Sequence, residues 1–275
     1  MSTNDPSPPG DRRRRLYLLG LVVGLAIIGA VVAIAVTGGS GATSKSLLTS
    51  GAGPASTPAA PTTSSPSAPT AIQTSEKVPG ANAVNALLTG IPSQGTALGN
   101  PTAPLTLEEF ADLQCPYCRE FEVSVLPDLI QRYVRAGKLR VVFSDISILG
   151  PDSSKAASYA AAAGLQNKLW PYIELWYQNQ RQENTGYVTP SYLLHIATGI
   201  PGLDGARAAR DSSSASVQRQ LAAADSAAAK SKVNSTPSFL IGATGQPGQP
   251  LSAGNLTPAD FDAPIQSALQ QVGAG

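Results

Sequence analysis

The sequence predicts an α/β fold: a β-α-β unit and a β-β-α unit separated by an inserted all-helical subdomain, preceded by one transmembrane helix and a disordered linker. Three observations carry that prediction. Apolar runs with strand spacing alternate with helical runs on either side of a long alanine-rich stretch. An uncharged segment follows four arginines near the N-terminus. The chain's only two cysteines stand together in Cys115-Pro116-Tyr117-Cys118, between the first strand and the first helix of the globular part.

The 275 residues are 42% hydrophobic and 13% charged, enough apolar material for the core of one domain of about 200 residues. Of 19 basic and 18 acidic residues, six basic and three acidic lie at or before Lys77, leaving thirteen and fifteen after it. A slightly acidic globular part offers no basic face to phosphates, which argues against nucleic acid as a partner.

Residues 1–15 read as a cytoplasmic N-terminus ending in Arg12 to Arg15, and Leu16 to Val36 carries no charge. Those 21 residues reach ~31 Å as a helix, the thickness of a bilayer's hydrocarbon core. The arginines keep the N-terminus in the cytoplasm and place everything after Val36 outside, as a single-pass protein of the cell membrane. The alternative is export after cleavage of a signal peptide, with Ala33-Ile34-Ala35 as the site. Residues 37–80, rich in Pro, Ser, Thr, Ala and Gly, cannot bury enough surface to offset their ordering entropy and are predicted to be a disordered tether. Such a coil spans roughly 35 to 40 Å.

Residues 81–275 form the predicted domain, with a clearly globular pattern from Gly95. Pro104 to Ala111 reads as a strand with Leu105, Leu107, Glu109 and Ala111 on one face. A helix follows from Pro116 to about Ala136, with proline favourable at its first position and Gly137 as its stop; Pro127 inside it is expected to kink or divide it. Leu139 to Phe143, apolar on both faces, reads as a strand of a doubly covered parallel sheet. The insertion, about 150–232, is predicted wholly helical from Asp152 to Lys232, with Thr189-Pro190 opening one helix and Gly199 closing it. Ser238 to Ile241 and Pro250 to Ala253 are strands joined by a turn over Gly242 to Gln249. Thr257-Pro258 opens a last helix ending near Gln271, with Asp260 in its first turn. This order is that of a split thioredoxin fold.

A Cys-x-x-Cys disulfide closes so short a loop that it adds little as a staple, because that stabilisation grows with loop length. The pair is better suited to opening and closing than to holding a fold. Three segments then carry a family resemblance: Leu107 to Cys118 with Phe121 and Glu122 in the next turn, the aromatic stretch from Leu169-Trp170 to Gln180, and Asn234-Ser235-Thr236-Pro237-Ser238-Phe239. Together they make the chain resemble the DsbA-like thiol:disulfide oxidoreductases of bacterial envelopes, in the branch with a membrane-anchored thioredoxin domain, over about Gly95 to Gln271.

That resemblance implies an enzyme that donates the Cys115–Cys118 disulfide to exported proteins with reduced cysteines. Cys115, ahead of a helix whose free N–H groups stabilise a thiolate, is expected to be the exposed nucleophile with a lowered pKa; Cys118, one turn inside, is the resolving thiol. Substrate attack gives a mixed disulfide at Cys115, and resolution leaves both cysteines reduced. Lowering a thiol pKa from ~8.5 to ~3.5 is worth about 7 kcal/mol, and the span from about −270 to about −120 mV is also roughly 7 kcal/mol, so thiolate stabilisation alone covers the class.

Glu109 matches a buried acid of the family, placed to exchange a proton with Cys118; the other reading is an exposed strand carboxylate. Glu122, which matches an acid on the family's active-site helix, reads as a helix-surface residue. Thr236-Pro237 matches the family's cis-proline loop and is expected to be cis, with Thr236 pairing to an incoming substrate strand. Strong oxidants of the family usually carry histidine where this chain has Tyr117, and Cys115-Pro116-Tyr117-Cys118 is also the glutaredoxin pattern, which leaves the direction of electron flow open. A disulfide reductase or isomerase using the same thiols is the alternative, and a tethered non-catalytic chaperone or adaptor the second.

The resemblance implies reoxidation by a quinone-linked membrane partner of the DsbB or vitamin K epoxide reductase type. No cofactor and no metal are expected: two cysteines and the single, distant His195 do not make a four-ligand zinc site, and Arg119 after Cys118 breaks the haem-attachment pattern. Trp170, Trp176 and Tyr177 read most simply as the core of the insertion, an exposed subset lining a peptide groove being the other use.

Overall fold

The computed structural model describes residues Val78–Gly275. The predicted membrane span 16–36 and nearly all of the predicted linker lie outside them; among the described residues no helix is long and apolar enough to cross a membrane. The predicted linker runs too far by at least three residues, because Val78 is 3% exposed and belongs to the core.

A helix not foreseen in the sequence, α1 (Ala81–Leu88), and two two-residue strands, β1 (Ser93–Gln94) and β2 (Ala97–Leu98), precede the elements read from the pattern. Strands this short show no period. The rest follows as β3 (Leu105–Ala111), helix α2 (residues 116–134), β4 (Leu139–Asp145), the insertion, β5 (Ser238–Ala243), β6 (Gln249–Leu251) and α8 (Pro258–Gln271). The sheet order is β1-β2-β4-β3-β5-β6. β3 lies parallel to β4 and antiparallel to β5, and Glu109 stands opposite Phe143 on one side and Phe239 on the other.

Helix α2 begins as Pro116–Glu120 and is divided as expected, though by widening rather than by a break: Phe121–Val125 is π-helical, Leu126–Leu129 α-helical and Ile130–Val134 π-helical again. The Leu126 N–H reaches back to the Phe121 carbonyl, so the wide turn comes just before Pro127, where the ring would clash with a regular one.

The insertion is not helical throughout. It comprises α3 (Pro151–Gly164), α4 (Leu169–Asn179), α5 (Pro190–Thr198), α6 (Gly205–Asp211) and α7 (Ala215–Lys230), with an irregular stretch between α4 and α5. Thr189, Asp204 and Ser214 cap α5, α6 and α7 by accepting from the backbone N–H three residues on, each such cap being worth about 1 kcal/mol. Gly199 closes α5 as read, but close approach is what requires glycine there: a Cβ would stand 2.6 Å from Leu175 Cδ2 and 3.0 Å from Val78 Cβ. Thr257 and Asp260 form the capping box of α8.

The core joins insertion and sheet in one cluster. Trp170, Trp176, Tyr172 and Tyr177 are its largest fully buried side chains, so these aromatics do not line a peptide groove. Phe121, Phe239 and Phe261 form a triangle with centroids 4.7 to 5.1 Å apart that fixes α2 against β5 and α8. Glu109 shares its buried face with Leu105, Leu107 and Ala111, all 0% exposed.

Candidate active site

Cys115 is the N-cap of α2, extended at φ −68° and ψ 122°, and Pro116 opens the helix. The turn before it is tightly specified. The Cys115 N–H donates to the Asp112 carbonyl at 2.9 Å. Asp112 Oδ1 accepts from the Gln114 N–H at 2.8 Å, and Asp112 Oδ2 accepts from the N–H groups of Ile148 and Leu149 at 2.8 and 2.9 Å. Gln114 reaches across to Ser153 and to the backbone of Asn184.

Helix α4 of the insertion grips the same turn. Trp176 Nε1 donates to the Leu113 carbonyl at 2.7 Å, Tyr177 Oη to the Asp112 carbonyl at 3.2 Å, and Gln180 Nε2 to the carbonyls of Leu113 and Cys115 at 2.9 and 3.1 Å. In return Arg119, just past Cys118, donates from Nε to the Tyr177 carbonyl at 2.9 Å. Sequence reasoning reads Trp176 and Tyr177 as core and misses these bonds, together with the parts played by Asp112, Gln114 and Gln180. The available signal was local: an Asp-x-Gln step directly before the cysteine pair, where a strand must turn into a helix.

On the opposite side the Thr236–Pro237 peptide bond is cis, and the Cys115 Sγ donates to the Thr236 carbonyl at 3.4 Å. The structure therefore brings Cys115, Pro116, Cys118, Thr236 and Pro237 together. Tyr117 turns away and is 66% exposed. It borders a groove of about 460 Å³ whose other walls include Val233, Pro237, Phe239, Leu251 and Leu256.

Two expectations need correction. Cys115 is only 4% exposed, because the turn and the Thr236 loop close over its sulfur from both sides. Glu122 is not on the surface but 0% exposed, because it stands four residues after Cys118 and so shares the buried helix face of Cys118, Phe121 and Val125. The exposed-strand reading of Glu109 fails as well, since it is 0% exposed.

Both thiols are free, and their environments push them apart. Cys115 is brought down from 9.0 to about 6, first by the hydrogen bond from the Cys118 thiol, then by the Thr236 side chain and the N–H groups of Cys118 and Tyr117, against the opposing effect of burial. Cys118 is held well above 9.0, chiefly by burial, with the Cys115 hydrogen bond and the charges of Glu109 and Cys115 adding to it. Burial raises Glu109 to about 8. At neutral pH one sulfur is mostly thiolate and the other thiol, with a neutral carboxyl beneath, an arrangement suited to one nucleophile and one proton-accepting leaving group.

A thioredoxin-like sheet carrying two cysteines at a helix start, with a cis-proline loop against the first sulfur, defines the class: a thiol:disulfide oxidoreductase. The profile of the family described as Thioredoxin matches residues 93–266. The chain belongs to that family. A Bacillus cereus protein named probable disulfide bond formation protein D is 31% identical over 169 residues, 60% of this chain and 73% of the relative. Among solved structures, oxidised BdbD from Bacillus subtilis matches with a TM-score of 0.57 at 20% identity, over 66% of this chain and 97% of that one. A thioredoxin-like oxidoreductase from Silicibacter pomeroyi matches with a TM-score of 0.51 at 26% identity, over 68% and 97%.

Proposed function

We propose that the chain is an extracytoplasmic oxidase, anchored by residues 16–36 and tethered by 37–80, that donates the Cys115–Cys118 disulfide to exported proteins. The observation that carries this reading is the opposed titration of the two sulfurs, Cys115 lowered to about 6 and Cys118 raised. A stabilised Cys115 thiolate favours the reduced pair and so makes the disulfide a better oxidant.

A substrate thiolate attacks Cys115 Sγ, forming a substrate–Cys115 bond while the Cys115–Cys118 bond breaks. Cys118 leaves as a thiolate and takes a proton from neutral Glu109. A second substrate thiolate attacks the substrate sulfur of the mixed disulfide, forming the product disulfide and releasing the Cys115 thiolate. Two electrons pass to the enzyme pair. Thr236 faces both forms of Cys115: its carbonyl accepts from the thiol, and its side chain stabilises the thiolate. Its half-buried backbone is the edge to which a substrate strand pairs. The groove beside Tyr117 takes the neighbouring substrate residues. A quinone-linked membrane protein of the DsbB or vitamin K epoxide reductase type accepts the electrons and restores the disulfide.

The reductase or isomerase reading draws on one specific observation. Tyr117, 66% exposed, is not among the side chains that stabilise the Cys115 thiolate, where a histidine would add a positive charge. Thiol trapping of the resting protein in cells separates the two: a mostly oxidised pair is expected, and a mostly reduced pair would overturn the oxidase. Cys118→Ala should stall mixed disulfides at Cys115, and the proteins captured on it identify the substrates.

A further inference from the structure

Opening the disulfide calls for one proton at Cys118, yet three carboxyls converge beneath it. Glu109 comes from β3, Glu122 from the π-helical stretch of α2 and Glu174 from α4 of the insertion, with exposures of 0%, 0% and 1%. Both oxygens of Glu109, both of Glu122 and Oε1 of Glu174 are sealed from solvent, and no other residue donates a hydrogen bond to them. Glu122 lies within hydrogen-bonding reach of Glu109 on one side and of Glu174 on the other. Among the described residues the other titratable groups facing them are Cys115 and Cys118 at the start of α2 and Tyr177 on α4, and no cation is among the groups acting on the three.

Buried carboxyls without a cation or an N–H donor cannot all ionise; they hold protons in common and satisfy one another only when protonated. We propose that Glu174 is a positioning residue of this exchange site, the third member of a proton-sharing chain Glu109–Glu122–Glu174 that sets the pH at which Glu109 can serve Cys118. The inference rests on the thiol-exchange reading above but not on its direction, since Cys118 gains and loses the same proton in an oxidase and a reductase.

When the disulfide opens, the Cys118 thiolate takes the proton of Glu109. The Glu109 carboxylate then accepts a hydrogen bond from the Glu122 O–H, and Glu122 accepts one from Glu174. One proton has moved to sulfur, two remain within the chain, and a single negative charge is spread over carboxyls from three elements. On resolution the proton returns. Whenever Glu174 rather than Glu109 carries the chain's single negative charge, that charge holds Glu109 up; Glu174→Gln keeps a hydrogen-bond donor but cannot carry the charge, which then falls to Glu109 and Glu122, so Glu109 should ionise more readily.

The test is the pH profile for resolution of a glutathione mixed disulfide at Cys115 by Cys118, followed by stopped flow on the full chain. The wild-type rate is expected to rise along a limb near pH 8, where Glu109 titrates. Glu174→Gln should move that limb to lower pH by about half a unit or more, roughly a threefold rate difference well below the midpoint and about 1.5-fold at it, with the high-pH plateau unchanged. Glu109→Gln should lose the limb. An unmoved limb in Glu174→Gln, or a uniform loss of rate at every pH, overturns the proposal and assigns Glu174 to packing. A limb that persists in Glu109→Gln removes the acid role of Glu109 as well. Should Glu174→Gln fail to fold, the infrared difference between oxidised and reduced wild-type protein decides. More than one protonated-carboxyl band is expected to respond to the redox change, and a response from one band alone overturns the chain.

Discussion

On the insertion side, Trp176, Tyr177 and Gln180 all donate to carbonyls of the turn Asp112 to Cys115; on the other side a single contact of 3.4 Å joins the Cys115 sulfur to the Thr236 carbonyl. The two flanks also differ in what they expose. The insertion flank is packed with fully buried aromatics, whereas the Thr236 flank opens onto the groove beside Tyr117. A sulfur that must meet a new partner in each cycle needs a fixed origin and a replaceable neighbour. The insertion supplies the first by holding the turn, and the Thr236 loop supplies the second.

The comparison breaks most completely at the sulfur itself. Cys115→Ser should reduce insulin-disulfide exchange by several orders of magnitude, since it removes the nucleophile that both flanks serve, while leaving thermal stability near that of the reduced wild type at pH 6 and below, where the thiolate contributes little. Next comes the fixed side. Trp176→Ala should cost about 3 to 5 kcal/mol in denaturant unfolding, as deletion of a large buried side chain does. A loss under 1 kcal/mol would mean that the insertion does not hold the turn.

The pH dependence separates the flanks by charge. Because the folded-state pKa of Cys115 is depressed from 9.0 to about 6, its stabilising contribution is fully present above the unfolded value and is lost as pH falls through about 6. Burial of Glu109, which titrates near 8, acts in the opposite sense but is common to both redox forms. The stability of the reduced protein relative to the oxidised one should therefore rise from pH 6 to pH 9, which paired melts of the two forms would show. Iodoacetamide alkylation of Cys115 should reach half its maximal rate near pH 6, and a midpoint above 8 would remove the basis of the oxidase reading. The smallest effect is expected at the exposed position: Tyr117→His should raise the reduction potential by roughly 30 mV or more, a tenfold or larger change in the two-electron equilibrium, with little change in folding.

The parts of this picture that lie close in sequence were legible there. Cys115 to Cys118 at a strand-to-helix boundary, Glu109 on an apolar strand face and Thr236-Pro237 before a strand are each local patterns. The turn's grip was not, because Trp176 and Gln180 meet it from residues 63 to 67 positions away. The burial of Glu122 is legible too, since it stands four residues after Cys118 on the same helix face, and the surface reading overlooks that spacing. Glu174 carries no mark in the sequence that sets it apart, and only the packing of α4 against α2 makes it the third acid of a buried set.

The insertion re-enters the sheet directly after α7, through Ser231 to Thr236, with Lys232 in the left-handed region at φ 57°. The insertion therefore bolts down the backbone of Cys115 through Gln180, and the segment that leaves its last helix for β5 carries the Thr236 carbonyl that faces the sulfur. One jaw around that sulfur is part of the helical subdomain, and the other hangs between that subdomain and the sheet. Their gap is consequently set where the two parts of the domain join, and a change in the packing of α7 bears on the width of the active site without touching either cysteine.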